Sequence, residues 1–199
     1  MIPTDALPRP EERLTLFETA RDLFTWDGYS EIGIDHFARP EDGLAVAARE
    51  GRLKRNFQGY TDDTAPVLVG LGASSISRFP QGYAQNASAT SLYIKAVREG
   101  RFATARGHVF GGDDRLRARM IEALMCDFRI DADELARDFG TSRDGILSLF
   151  AQTRTEVGDF VGVTANSLTI PDHARPLTRI IARSFDTYAL AETGHSSAV

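Results

Sequence analysis

Apolar and polar positions alternate along this chain with periods that predict a series of short elements. Residues 1–10 carry Pro3, Pro8 and Pro10 and read as a tether. Pro10 then suits a first helical turn, with Glu11 and Glu12 at the positive end of the helix dipole. Leu14, Phe17, Ala20 and Phe24, with Leu16 and Leu23 beside them, recur at helical period, and Gly28 is positioned to stop that helix. Tyr29–Ile34 alternates and predicts a strand; Pro40-Glu41-Asp42 opens a second helix that Gly51 closes. Val67–Leu71 is a continuous apolar run, as in a strand covered on both faces. This order of helix, strand, helix, loop and strand predicts a parallel α/β arrangement that two strands leave incomplete.

From Ser91 the pattern turns helical, with Arg106–Phe110 as a candidate short strand. Asp113 heads a helix through Phe128 whose stripe is Leu116, Met120, Ile121, Leu124 and Phe128. Asp131–Glu134 has the look of a capping box, and Gly140 ends the helix it starts. Thr141-Ser142 open another helix, Phe160–Ile170 reads as a β-hairpin, and a last helix carries Leu177 to Tyr188. Residues 191–199 read as frayed. Helices followed by a hairpin over residues 113–171 form a winged-helix-like pattern. A division near residue 105 follows, with 1–105 as one part and 106–199 as the other.

Charge narrows the function classes. The 199 residues carry a formal net charge of −5, which argues against a general nucleic-acid or anionic-membrane surface. The hairpin and the helix near Asp144 carry little positive charge, so the winged-helix-like part is read as structural and not as a DNA binder. No apolar run approaches the roughly 20 residues needed to cross a bilayer, and the first residues do not have the layout of a signal peptide. A cytoplasmic location is expected. Cys126 is the single cysteine, inside a helical stripe, and reads as a small buried hydrophobe. The four histidines have no metal-ligand spacing, so no metal ligand is assigned.

The candidate chemistry lies in two stretches. Asp35-His36 could form an acid–base pair, although alternation along a strand would send one of the two side chains to the far face. A purely structural histidine is the competing reading. Arg52, Lys54 and Arg55 precede Asn56-Phe57-Gln58-Gly59-Tyr60, a basic cluster that is either solvated surface or a contact for a carboxylate or phosphate. Gly70-Leu71-Gly72 lacks the third glycine of a dinucleotide loop; its glycines read as sites of close backbone approach, to a ligand or to another part of the chain.

Several stretches carry a family resemblance. Ile32-Gly33-Ile34-Asp35-His36-Phe37-Ala38, Leu53–Thr61, Gly70–Ser77, Tyr83-Ala84-Gln85-Asn86, Leu124–Phe128 and Phe185-Asp186-Thr187-Tyr188 closely resemble oxygen-independent coproporphyrinogen III oxidase. The match runs over roughly residues 8–190 and corresponds to only the C-terminal part of an enzyme about twice as long. The resemblance implies an α/β fold: the terminal portion of a partial (β/α) radical SAM barrel, then a mostly helical, winged-helix-like C-terminal domain. It implies a radical S-adenosylmethionine enzyme of haem biosynthesis that oxidatively decarboxylates two propionates of coproporphyrinogen III, giving protoporphyrinogen IX. It also implies a [4Fe-4S] cluster and two S-adenosyl-L-methionine molecules. Gln58 and Ile76 match the family positions that contact the second of these. Lys54 stands where the family usually has His, and Asp62 where Thr is common.

The cluster cysteines, spaced Cys-x-x-x-Cys-x-x-Cys, belong to the N-terminal radical SAM half, which this sequence lacks. The chain by itself is therefore expected to be a fragment without activity, with no cofactor held tightly and no catalytic residue assigned. A bare barrel edge would invite pairing of Ile32–Ile34 and Val67–Leu71 across a dimer. The alternative is a non-catalytic module that binds a tetrapyrrole or nucleotide alongside a partner.

Overall fold

The structure is a computed structural model, which describes residues 7–188. It forms two units by contact, residues 7–62 with 116–188, and residues 63–115. Each is described by itself.

The first unit opens with α1, Pro10–Trp26. Glu12 accepts from Arg9 N–H at 2.7 Å, closing the first turn, and Gly28 at φ +83° takes the chain out of the helix. Much of the apolar stripe of α1 is exposed, Leu16, Leu23 and Trp26 among it. Phe24, also exposed, stacks on Phe37 and meets Tyr29 edge-on. The predicted strand Tyr29–Ile34 is shorter than its pattern and has a partner next to it in sequence. β1 (Ser30–Ile32) turns at Gly33 and pairs antiparallel with β2 (His36–Ala38), Ile32 facing His36. α2 (Gly43–Arg49) is capped by the Asp42 carboxylate, which accepts from Leu44 N–H at 2.8 Å. β3 (Lys54–Asn56) and β4 (Gly59–Thr61) form a second antiparallel pair. The sheets of the described residues are antiparallel throughout, which corrects the expectation of a parallel arrangement. Two- and three-residue turns impose this on the β1-β2 and β3-β4 pairs, because a parallel pair needs a long crossover.

In the second unit, β5 (Ile76–Phe79), β6 (Gly82–Asn86) and, after α3 (Thr90–Arg98), β7 (Thr104–Val109) make one sheet in the order β5-β6-β7. Val67–Leu71 is not the buried strand that its composition suggested. Only Leu68 bridges, exchanging hydrogen bonds with Arg78, while Val69 and Leu71 are exposed, Leu71 at 83%. Leu68 is half-buried and Val67, Val69 and Leu71 are exposed, so the run's hydrophobicity did not imply burial here. Gly70 and Gly72 serve close backbone approach, as expected, and the partner is the chain itself. A Cβ on Gly70 would lie 2.8 Å from the Ile76 carbonyl oxygen, and Asn86 Nδ2 holds both glycine carbonyls at 3.1 and 3.0 Å.

Back in the first unit run α4 (Asp114–Asp127), β8 (Arg129–Asp131), α5 (Ala132–Phe139), α6 (Arg143–Val157), β9 (Gly162–Val163) and β10 (Ser167–Thr169). β10 lies between β8 and β9, antiparallel to both. Gly140 leaves α5 in the left-handed conformation, as its position predicted, and Ser142 caps α6. The predicted last helix is broken into a 3-10 turn over Asp172–Leu177, α7 (Thr178–Ala182) and a second 3-10 turn over Arg183–Phe185. The readings for residues 1–6 and 191–199 lie outside the described residues.

Two cores form in this unit. Met120, Leu124, Ile130, Leu135, Ile146, Phe150, Leu168 and Phe185 are central to one; Ile32, Ala45, Ala47, Leu53, Tyr60 and Cys126 make the other, with Ile34 packed against both. Cys126 of α4 belongs to the core of residues 32–60, so α4 contributes to both cores.

Asp131 ties β8, α5 and the hairpin turn together. Its carboxylate accepts from Asp133 N–H at 3.0 Å, Glu134 N–H at 3.1 Å and Asn166 Nδ2 at 3.2 Å. Burial pushes this carboxyl up, but the Glu134 N–H, the Arg129 guanidinium and the Asp133 N–H together outweigh it and hold it below its ordinary value. Because the folded pKa is depressed, the added stability is present above the unfolded value and is lost as pH falls through the folded one. Asp131→Asn keeps the cap without the titration. Its stability in urea should therefore vary less than the wild type's as pH falls through and below the ordinary carboxylate range; parallel profiles would refute this.

Candidate functional site

The stretch from Ile32 to Tyr60 builds a polar cluster on apolar support. Gly33 sits at φ +56° in the turn between β1 and β2, and a Cβ there would lie 2.1 Å from the Tyr60 hydroxyl oxygen. Glycine at this turn thus admits the tyrosine. Tyr60 is buried, donates to the Met125 carbonyl of α4 at 2.7 Å, and accepts from Ile34 N–H at 3.0 Å. One hydroxyl therefore fixes the turn that carries Asp35 to the helix behind it. Burial pushes the Tyr60 phenol up, keeping it protonated and able to donate.

Asp35 is the centre of the charged groups. Its Oδ1 lies 2.7 Å from His36 Nδ1, and its Oδ2 accepts from Arg179 Nη2 at 2.6 Å. Arg55 Nη1 stands 4.0 Å from Oδ1 and, though buried, makes no hydrogen bond. The Arg55 guanidinium lies over the Tyr60 ring at 4.5 Å, and His36 meets that ring edge-on. The expectation that Asp35 and His36 point to opposite faces is corrected. Asp35 lies in the turn and not in a strand, so the alternation does not apply and the two side chains meet. The Asp35 carboxyl thus lies within hydrogen-bond reach of the His36 imidazole and orients its ring.

The basic cluster divides. Arg52 pairs with Glu50 at the surface, Lys54 lies 3.6 Å from Glu122, and only Arg55 turns to Asp35 and Tyr60. Gln58 occupies the exposed turn between β3 and β4; its backbone N–H donates to Asn56 Oδ1 at 2.8 Å. Ile76 begins β5 in the second unit, half-buried. The two residues assigned to the second S-adenosylmethionine thus belong to different units. Sequence reasoning missed Arg179, which reaches Asp35 from 144 positions away, and the bridging role of Tyr60. No local pattern signals either one.

The cysteine chemistry of a cluster does not fit this chain. Cys126, the single cysteine, is buried, and burial pushes its thiol up to about 12, which disfavours the thiolate a metal requires. Among the described residues no three His, Cys, Asp or Glu side chains gather as metal ligands, and no helix is long and apolar enough to cross a membrane.

Comparison with known proteins gives a consistent answer. No family model matches the chain. It is 60% identical over 199 residues to oxygen-independent coproporphyrinogen III oxidase of Paracoccus denitrificans, covering all of this chain and 44% of the relative. It is 38% identical over 194 residues to the enzyme of that name from Escherichia coli, covering 40% of it. The solved structure of coproporphyrinogen III oxidase from Escherichia coli, described as a radical SAM enzyme, superposes with a TM-score of 0.86 at 35% identity, over 94% of this chain and 44% of that one. The chain therefore spans less than half the length of these relatives.

Tyr60→Phe should test the support of the cluster. It leaves the half-buried Ile34 N–H and the buried Met125 carbonyl without their partner, at a cost of about 2 kcal/mol. A urea midpoint unchanged from wild type would show that the hydroxyl bridge carries no such weight.

Proposed function

We propose that this chain, a segment of the oxygen-independent coproporphyrinogen III oxidase family by sequence and fold, serves the oxidative decarboxylation of coproporphyrinogen III to protoporphyrinogen IX in haem biosynthesis. The observation that carries the reading is identity over the entire chain, 60% to the Paracoccus denitrificans enzyme. The chain acts as the C-terminal portion of that enzyme. The succession α4, β8, α5, α6, β9, β10, with the strand order β8-β10-β9, supports a winged-helix-like reading of residues 114–170. The acidic net charge supports a structural role for it.

The partner is the N-terminal radical SAM half, which brings the three cysteines, the [4Fe-4S] cluster and the greater part of the S-adenosylmethionine site. When bound, those cofactors supply the radical that opens the propionate C–H bond. This chain's own residues bind and orient. Exposed apolar side chains of α1, Trp26 at 88% among them, suit burial against that half. Gln58 offers its amide to the second S-adenosylmethionine from an exposed turn, and Ile76 adds an apolar contact. Asp35 and His36 hold a proton within a cluster fixed by Tyr60 and Arg179.

Anaerobic reconstitution of this chain alone with iron and sulfide should give neither visible cluster absorption nor protoporphyrinogen. Co-expression with the N-terminal half of the Paracoccus denitrificans enzyme should give both. A cluster on the lone chain, or a reassembled pair without turnover, would refute the reading. In the reassembled enzyme, Gln58→Ala should weaken S-adenosylmethionine binding about tenfold, the loss of a good polar contact; unchanged affinity would remove Gln58 from the site.

A further inference from the structure

One cleft of the first unit lies beside the cluster described above and plays no part in it yet. Its volume is about 370 Å³, and α1, the turn at Ile34-Asp35 and the segment Arg175–Ile180 enclose it. Leu14, Phe17 and Ile180 give it an apolar wall, and Arg13, Arg175 and Arg179 bring three guanidinium groups to it. Two carboxylates also line it, Glu11 and Asp35, and Asp35 is already held by Arg179 and His36.

The arginines keep donors in reserve. Arg179 uses Nη2 on Asp35, which leaves its other N–H groups. Arg175 packs over the Phe128 ring at 4.4 Å and pairs with Asp172 at the surface, while its buried Nε has no hydrogen-bond partner. Arg13 is exposed on α1 and makes no ion pair among the described residues. Guanidinium groups beside an apolar wall match one chemistry, a carboxylate carried on a flat apolar body.

We propose that this cleft receives one corner of the tetrapyrrole, a pyrrole edge against Leu14, Phe17 and Ile180 with its propionate on Arg13 and Arg175. The inference rests on the coproporphyrinogen reading above and names a site for it on this chain. A volume of about 370 Å³ accepts a single ring and its side chain and not the whole macrocycle. The cleft therefore grips a substituent of the substrate and leaves the rest of the ring outside.

The test is a fluorescence titration of the 199-residue chain with coproporphyrin III, the stable oxidised form, beside its tetramethyl ester and decanoate. Coproporphyrin III should bind, and the ester, with the same ring but no charge, should bind at least about tenfold more weakly. Arg13→Gln and Leu14→Glu change exposed positions of α1 and should each loosen coproporphyrin about five- to tenfold at an unchanged melting temperature. Coproporphyrin binding that ignores both substitutions overturns the cleft and leaves the oxidase reading standing. Decanoate binding that depends on Arg13, without coproporphyrin binding, overturns the tetrapyrrole reading together with the proposal. No binding of any probe by a folded chain overturns the cleft alone, because the reassembled enzyme tests the oxidase reading separately.

Discussion

A single buried hydroxyl holds the turn that carries Asp35 against α4. Tyr60 joins the Ile34 N–H to the Met125 carbonyl, and so joins the turn carrying Asp35 to the C-terminal end of α4. A buried backbone group without a partner costs about as much as a lost hydrogen bond, so the pairing leaves little freedom in the turn. Gly33 makes room for the hydroxyl, Arg55 lies on the ring, and His36 meets its edge. Moving the tyrosine would disturb each of these contacts at once.

The same coupling explains why the packing crosses the chain's own order. α4 contributes Met120 and Leu124 to the core of the helices and hairpin that follow it, and Cys126 to the core of the strands that precede it. Arg179, near the end of the described chain, returns to Asp35 near its start. The charged cluster is therefore a product of several distant segments held on one apolar support.

Local chemistry was legible where local physics decides it. The capping residues Asp42, Asp131 and Ser142 and the stop at Gly140 act where the sequence assigned them, because each satisfies backbone groups within a few positions of itself. The stripe of α4 was legible for the same reason of period. The apolar run Val67–Leu71 misled, since composition reports a demand for burial and does not say whether the same chain supplies the cover. Asp35 and His36 misled by the opposite route. The strand was assumed to continue through them, and a turn at Gly33 ended it first.

By itself the sequence determined most of the helical segments and several of their starts and stops, that the chain carries a single cysteine, and which family its motifs resemble. These properties are set by side chains acting on their near neighbours, or by residue identity alone. Only the tertiary structure decided that the strand pairs of the described residues are antiparallel, that β10 lies between β8 and β9, that α4 serves two cores, and that Arg179 meets Asp35 across 144 positions. Those outcomes depend on contacts between segments far apart in sequence, which no periodicity encodes, and on the short turns that fix strand direction before any distant partner arrives.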